Sequence, residues 1–357
     1  MKTITRIKAQ NINQENLDLF NNLASLQNVK KNLSTHKKPK TFFDFCAGIG
    51  SAHLAFKRLG LSCAGYSEID VNAEKLYKLF HGSQYKNFGD LMKINPDDLE
   101  DFDILIAGFP CQTFSIAGKR MGFGDERGQV IFGLKKIINY KKPQAFLLEN
   151  VKGLVNINNG NTLKEIMSLL RECGYNVHFK VLESLNFSIP QSRERVYIVG
   201  IRKDLYYGEF FFPKAIENNV EIKSFLIDED ENFELKDSAY QTFLKYLNNK
   251  YNLGKFKIDE LLKQEYLVLD TRQSDLRLYH NKIPTLRTGR QGIFYIKNSK
   301  IRKLSAREAL LLQGFDAEMA KTAQENFPQS RILAQAGNAM TVDVMQNIGK
   351  KIIDYLS

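Results

Sequence analysis

Between Lys40 and Ile201, short apolar runs alternate with longer stretches whose apolar residues recur at helical spacing. Thr41–Cys46, Ser62–Ser67, Asp103–Ala107, Ala145–Leu148, Val177–Leu182 and Arg195–Ile201 read as buried strands. Ser51–Leu59, Val71–Phe80, Val130–Tyr140 and Leu163–Cys173 read as helices. A crossover long enough to hold a helix returns the chain to the edge it left, so strands separated by helices run the same way. The expected core is a doubly wound, mostly parallel α/β sheet with helices on both faces. Such sheets bind ligands beyond the carboxyl ends of their strands.

The rhythm is lost after Ile201 and returns at Ser305-Ala-Arg-Glu308, where Ser and Glu have capping-box spacing. A last helix is expected over Val342–Tyr355. Ahead of the sheet, residues 1–39 are rich in Asn, Gln and Lys, with one weakly helical stretch at Leu17–Leu26. No apolar run approaches the roughly 18 residues of a membrane span, and the N-terminus lacks a secretory core, so a cytoplasmic protein is expected. The four cysteines form no CxxC pair, which encodes neither a zinc site nor a dithiol centre, and no metal is expected.

Four segments at strand ends carry chemistry. Phe43-Asp-Phe45-Cys-Ala-Gly48-Ile49-Gly50-Ser closes the first strand, and its glycines allow a tight turn and close approach of a ligand. His53 stands where a third glycine would complete the dinucleotide fingerprint, which disfavours a pyrophosphate-bearing guest. Glu68 follows about 20 residues on, where a carboxylate can hold a ribose diol; any adenosine cofactor fits, and so does a structural turn. Asp90, in Gly89-Asp90-Leu91, is placed to accept from a ligand amine or to cap a helix. Ala107-Gly-Phe-Pro110-Cys111-Gln-Thr-Phe-Ser puts a cysteine on a rigid turn at the ligand-binding edge. The glycines between Thr113 and Gly128 suit a loop that closes over a substrate. Leu148-Glu149-Asn150-Val151 adds a carboxylate, and Gln191-Ser-Arg193-Glu-Arg195 a basic cluster. Each has an ordinary structural explanation alone: a small buried thiol, a capping carboxylate, an Arg193–Glu194 pair. All of them on one sheet edge do not.

The formal charge of +11 is unevenly spread. Residues 1–40 hold eight basic and two acidic side chains, residues 203–270 nine and fourteen, and residues 271–303 nine and one. A positive stripe gains by displacing counterions from a polyanion, so nucleic acid is the expected partner, although a solvated Lys-rich surface accounts for the arm equally well.

In order, Phe43–Gly50, Gly89-Asp90, Pro110-Cys111-Gln112, Glu149-Asn150-Val151, Gln191–Arg195 and Gly337-Asn338-Ala339 closely resemble the motifs of the DNA (cytosine-5) methyltransferases of bacterial restriction–modification type. The resemblance covers about residues 40–202 and 303–355. It implies methyl transfer from S-adenosylmethionine to carbon 5 of a cytosine flipped out of a specific duplex DNA sequence. It implies that Cys111 is the nucleophile, Glu149 the proton partner of ring nitrogen 3, and Arg195 the contact to the base carbonyl, with Arg193 steadying the site. Cofactor contacts are implied for Phe45, Gly48, Ile49, Gly50, Glu68, Ile69, Asp90, Leu91, Pro110, Asn338, Ala339 and Met340. The family usually has an aromatic side chain at the position of Cys46; here its neighbour Phe45 is the aromatic one.

The resemblance also divides the chain: a basic arm over 1–39, a catalytic and cofactor-binding domain over 40–202, a target-recognition domain over 203–302, and a segment over 303–357 returning to the catalytic domain. Lys119 and Arg120 are expected on phosphates. Arg272, Arg277, Arg287 and Arg290, with Thr285 opening the later recognition loop, are expected near base edges, because arginine's fork matches the two acceptors of guanine. A restriction endonuclease is a possible functional partner. Three alternatives stay open: a tRNA-methylating member of the same family, a silent DNA-binding regulator, and a nicotinamide oxidoreductase.

Overall fold

Six strands form the central sheet of the computed structural model, which describes residues 38–109, 130–216, 220–289 and 291–357. They are β1 (Thr41–Phe45), β2 (Ser62–Ser67), β3 (Ile104–Gly108), β4 (Ala145–Val151), β5 (Tyr175–Glu183) and, beyond the short β6 (Gln191–Ser192), β7 (Glu194–Arg202). The order is β2-β1-β3-β4-β7-β5. β1 to β4 pair in parallel, whereas β7 runs antiparallel to both β4 and β5. That reversal has a simple cause. Residues 184–193 are too few for a helical crossover, so the chain turns straight back.

Helices α1 (Ser51–Arg58), α2 (Val71–His81), α3 (Val130–Lys141) and α4 (Asn161–Glu172) link these strands, each within a few residues of its expected position. Residues 203–303 add α5 (Asp237–Leu247), α6 (Ile258–Leu261) and strands β8 (Val268–Asp270), β9 (Arg277–Tyr279), β10 (Ile283–Pro284), β11 (Ile293–Lys297) and β12 (Lys300–Lys303). The chain ends in α7 (Ala306–Leu311), α8 (Ala317–Asn326), α9 (Gln329–Asn338) and α10 (Val342–Leu356). Ser305 and Glu308 do form the capping box that opens α7. The arm helix expected at 17–26 lies outside the described residues.

Side chains alternate across the central sheet and build two cores. Phe42, Ile104, Ile106, Leu147 and Val199 pack with Ala52 and Phe56 of α1 and Ile348 and Ile352 of α10. Phe43, Phe45, Leu105, Phe146 and Ile198 pack with Leu134 and Ile138 of α3 and Ile166 and Leu170 of α4. Each fully buried large apolar side chain contributes roughly 1.5–3 kcal/mol over exposure.

The second sheet, β12-β11-β8-β9, is antiparallel. Leu269, Ile296 and Ile301 face a small core with Phe243, Leu247 and Leu261, while Val268 and Tyr295 join the main core. A parallel pair, β10 with β6, fastens this region to the start of β7.

His53, in place of the third fingerprint glycine, turns into the core. Its Nδ1 lies 2.6 Å from the Tyr77 hydroxyl, and its ring stacks on His81 at 4.0 Å. Burial pushes His81 down to about 4, and burial with the neighbouring His81 charge pushes His53 to about 2. Both folded values lie below the unfolded one near 6.5, so below that pH the unfolded chain binds more protons and stability is lost as pH falls. The melting temperature is expected to drop between pH 6.5 and 4.5, each ring contributing at most ~1.4 kcal/mol per pH unit. His81→Gln should flatten that slope in calorimetric melts; an unchanged slope would assign the acid lability elsewhere.

Candidate active site

The ends of β1 to β4, the start of β7 and the end of α9 enclose a cavity of about 440 Å³. Its first wall is the β1–α1 turn. Gly48 has φ +58, and a Cβ there would meet nothing within 4 Å, so the backbone is open to the cavity. Its N–H donates to Glu68 Oε2 at 2.7 Å, while Glu68 Oε1 accepts from the N–H groups of Ile69 at 2.8 Å and Asp70 at 2.7 Å. A carboxylate offers about four lone-pair positions, so one is left for a hydroxyl donor. Ile69, 74% exposed, supplies an apolar rim.

Asp90 also lines the cavity, with Leu91 behind it. Its Oδ1 accepts from Met92 N–H at 2.9 Å and caps a short 3-10 turn. Capping and cavity lining, alternatives in the sequence, hold together. Asn338, Ala339 and Met340 close the opposite side.

Three expected cofactor residues do not line the cavity. Phe45 is fully buried and stacks on Phe43 at 4.3 Å; Ile49 is buried in the other core; Gly50 sits beneath the His81 ring. The end of the strand decides this: Phe45 closes β1 and turns into the core, whereas Cys46, in the turn with φ +52, lines the cavity while still packing against that core. Phe45 therefore does not replace the aromatic group missing at 46. Burial, then the nearby Glu68, Asp44 and Asp90, push the Cys46 thiol up to about 12, so it is a neutral group on the wall.

At the other end Glu149 is 8% exposed, and burial raises its pKa against the opposing pull of Arg195 and Arg193. Arg195 Nε lies 3.1 Å from Glu149 Oε1, an ion pair, yet that oxygen accepts no aligned hydrogen bond. The reversal of β7 makes the pair possible, because the strand starts at the edge where β4 ends: Val151 sits opposite Arg195 and Glu149 opposite Tyr197. Phe109 N–H donates to the Glu149 carbonyl at 3.3 Å, and Asn150 Nδ2 donates to the Phe109 carbonyl at 2.9 Å. The chain leading to Pro110 and Cys111 is thus bonded to the Glu149 strand. Pro110, Cys111, Lys119, Arg120 and Arg290 themselves lie outside the described residues.

Arg193, expected to steady the site, lines the cavity and has a bracing geometry. It is 2% exposed, and its two terminal nitrogens donate to the carbonyls of Leu286 at 3.1 Å, Gly337 at 3.3 Å and Ala339 at 2.7 Å. Burial and the Arg195 charge push its pKa down to about 9.

The expected base-edge residues also divide. Arg272 is committed inside the protein: its side chain is 7% exposed, Nε and Nη2 grip Asp270 at 2.7 and 2.9 Å, and Nη1 donates to the Thr285 carbonyl at 2.8 Å. The Thr285 hydroxyl donates to the Ser192 carbonyl at 2.6 Å. Both hold the loop while also lining the polar cavity that Arg277 and Arg287 share. Arg277, 52% exposed, and Arg287 remain at the surface, where they line a polar cavity of about 160 Å³ with Gln273 and Tyr279.

Sequence reasoning missed Asp70 and Gln335, which face each other across the cavity wall, Nε2 of Gln335 donating to Asp70 Oδ2 at 3.2 Å. Gln335 sits one turn before Asn338 on the same helix face, the signal that could have found it. Among the described residues no group of three His, Cys, Asp or Glu side chains suits a metal, and no helix is long and apolar enough to cross a membrane.

The sequence profile described as C-5 cytosine-specific DNA methylase matches residues 40–354. The chain belongs to that family. It is 37% identical to the Type II methyltransferase M.HaeII of Haemophilus aegyptius over 90% of this chain and 95% of that one. It is 36% identical to M.NgoBI of Neisseria gonorrhoeae, over 85% and 90% of the two chains. Among solved structures, the S. pombe Dnmt2 methyltransferase shares the fold, with a TM-score of 0.62 at 21% identity over 86% of this chain and 96% of that one.

In this methyltransferase the end of α9 presses on the 285–288 segment: a Cβ on Gly337 would lie 2.4 Å from Thr288 N and 2.6 Å from the Arg287 carbonyl carbon. Gly→Ala in an open helix gains about 1 kcal/mol, but here the neighbour is backbone and cannot yield cheaply. Gly337→Ala is expected to lose roughly 1–3 kcal/mol of stability and to open the chain near 287–289 to limited proteolysis. A variant as stable and as resistant as wild type would contradict the contact.

Proposed function

We propose that this enzyme methylates carbon 5 of a cytosine flipped out of a specific duplex DNA sequence, using S-adenosylmethionine and a transient covalent bond to Cys111. The observation that carries the reading is one cavity with two chemically distinct ends: a ribose-suited carboxylate beside an open glycine turn, and a buried carboxyl–guanidinium pair.

The residues present fit the cofactor. Glu68 has a lone pair left for a ribose hydroxyl, Asp90 an oxygen for the adenine amine, and Gly48 leaves backbone open to close approach. Ile69 and Leu91 give apolar surface for the base, and Asn338, Ala339 and Met340, with Pro110, stand at the methionine end. When bound, S-adenosylmethionine supplies an electrophilic methyl group.

Carbon 5 of cytosine is a poor nucleophile until a thiolate adds to carbon 6. The Cys111 sulfur forms that bond, and electron density moves onto carbon 5. Glu149, whose buried carboxyl holds a proton more readily than usual, donates to ring nitrogen 3 and offsets the charge that addition creates. Arg195 orients that carboxyl and presents its guanidinium to the base carbonyl. After methylation, carbon 5 loses its proton as Cys111 leaves. Because carbon 6 is hidden in the stack, the base is extruded at a cost of about a few kcal/mol. Residues 203–302 serve as the target-recognition domain, with Arg277 and Arg287 as base readers and Arg272 and Thr285 as their support. The enzyme works in the cytoplasm on DNA shared with a restriction endonuclease.

Cys111→Ser is expected to lose methyl transfer by at least a hundredfold while still binding duplex, and wild type should be trapped covalently on DNA containing 5-fluorocytosine. Transfer to tRNA in place of duplex DNA, or near-normal turnover by the serine variant, would overturn the reading.

Specificity has its own test, bisulfite sequencing of a plasmid carried by cells expressing each variant. Arg277→Ala or Arg287→Ala should relax the methylated site at one position, as loss of a bidentate guanine contact worth about 1–3 kcal/mol would. An even loss at all sites would reassign both arginines to phosphates.

A further inference from the structure

Residues 285–288 are fastened to the catalytic unit at both ends. At one end, Thr285 Oγ1 donates to the Ser192 carbonyl and Leu286 N–H donates to Gln191 Oε1 at 2.9 Å. At the other, Thr288 Oγ1 lies 2.7 Å from the Ala334 carbonyl oxygen and 2.5 Å from Asn338 Oδ1. Asn338 is a wall residue of the large cavity.

A hydroxyl has one proton and cannot donate fully to two acceptors. The 2.5 Å contact has the length of an O–H···O bond, so the hydroxyl donates to Asn338 Oδ1 and shares its proton with the Ala334 carbonyl. That bond fixes the amide's orientation and turns its NH2, two N–H donors, toward an anionic acceptor in the cavity.

We propose that Thr288, a residue of the recognition segment, is a positioning residue for the cofactor: it sets the Asn338 amide to donate through its NH2 to the α-carboxylate of the methionine end, and so ties occupancy of the cavity to the order of residues 285–288. The inference rests on the S-adenosylmethionine reading given above. Two further contacts make the tie stiff. Gly337 leaves no space between α9 and the Arg287–Thr288 backbone, and the Arg193 guanidinium bonds Leu286, Gly337 and Ala339 at once. On the cofactor side, Gln335 and Arg331 of α9 bond Asp70 and Asn72 at the start of α2. Helix α9 is therefore held by the cavity wall on one side and by the recognition segment on the other.

The test uses the full chain, S-adenosylhomocysteine as the probe, and two variants. Thr288→Val keeps the volume and removes the hydroxyl; Thr288→Ser keeps the hydroxyl. Titration calorimetry should find binding weakened about fivefold or more in the valine variant, the size of one lost hydrogen bond, and restored to within about twofold in the serine variant. In hydrogen exchange, amides of residues 283–289 should gain protection on adding the probe in wild type and the serine variant, and not in the valine variant. Unchanged affinity in Thr288→Val overturns the proposal, even if its segment exchanges faster without ligand, because that pattern belongs to a purely structural threonine. Equal gains in protection in all three proteins overturn it as well. Failure of wild type to bind the probe is a different result, since it removes the cofactor reading itself.

Discussion

Arg193 is a guanidinium held out of water by carbonyl oxygens, with no carboxylate bonded to it. Burying such a charge costs several kcal/mol, and only its two terminal nitrogens are bonded while the buried Nε has no partner, so the backbone carbonyls that offset the cost cannot drift without raising it. The groups are Leu286 in the recognition segment and Gly337 and Ala339 at the end of α9. One side chain from the start of β7 thereby sets the distance between the sheet, the last cavity wall and the segment proposed to meet DNA. It does so because β7 runs backwards. A parallel strand would have begun at the far edge of the sheet and sent residues 193–195 away from the cavity.

The same cluster governs the reactive end. Two guanidiniums and one carboxyl share a nearly dry site, and the direction of each shift follows from who can be neutral. Burial and the neighbouring Arg195 charge push Arg193 down to about 9, and it stays cationic at neutral pH. Glu149 is raised by burial despite two positive neighbours. The result is a carboxyl poised to hold a proton beside a cation that orients it, which suits a group that must donate while charge builds on a base. Tyr197, directly opposite Glu149 on β7, is buried and stays protonated, so it does not compete for that proton.

The fold was legible where elements were long enough to show a period. β1 to β5, β7 and the first four helices were read from alternation alone, and the convergence of Glu68, Glu149, Arg193 and Arg195 on one edge followed from their places at strand ends, while Asn338 came only from the family resemblance. Residues 203–302 resisted the same reading because β8 and β9 span three residues each, less than any window that separates strand from loop. The end of β1 explains another miss: Phe45 and Cys46 look interchangeable in a motif, but the strand stops at Phe45 and Cys46, with φ +52, already belongs to the turn that borders the cavity. Spacing alone also cannot rank the arginines. Asp270–Arg272 and Asp275–Arg277 both pair at i, i+2, yet the first pair is buried at the sheet edge and the second is half in water.

That distinction changes what the charge of residues 271–303 means. Four of its nine basic side chains face acids from the preceding region or β8: Arg272 on Asp270, Lys297 on Glu229, and Lys300 and Arg302 on Glu234. The acidic excess of residues 203–270 is thus not a separate surface. It neutralises the inner side of the basic stripe and lets Lys297 and Arg302 be buried at all, since a lone buried cation would be prohibitively costly. What remains among the described residues is a smaller set, Arg277, Lys282, Arg287 and Lys303, of which Arg277 and Arg287 line the polar cavity. Charge counted along the sequence overstates the electrostatic footprint, and charge that the fold leaves at the surface locates it.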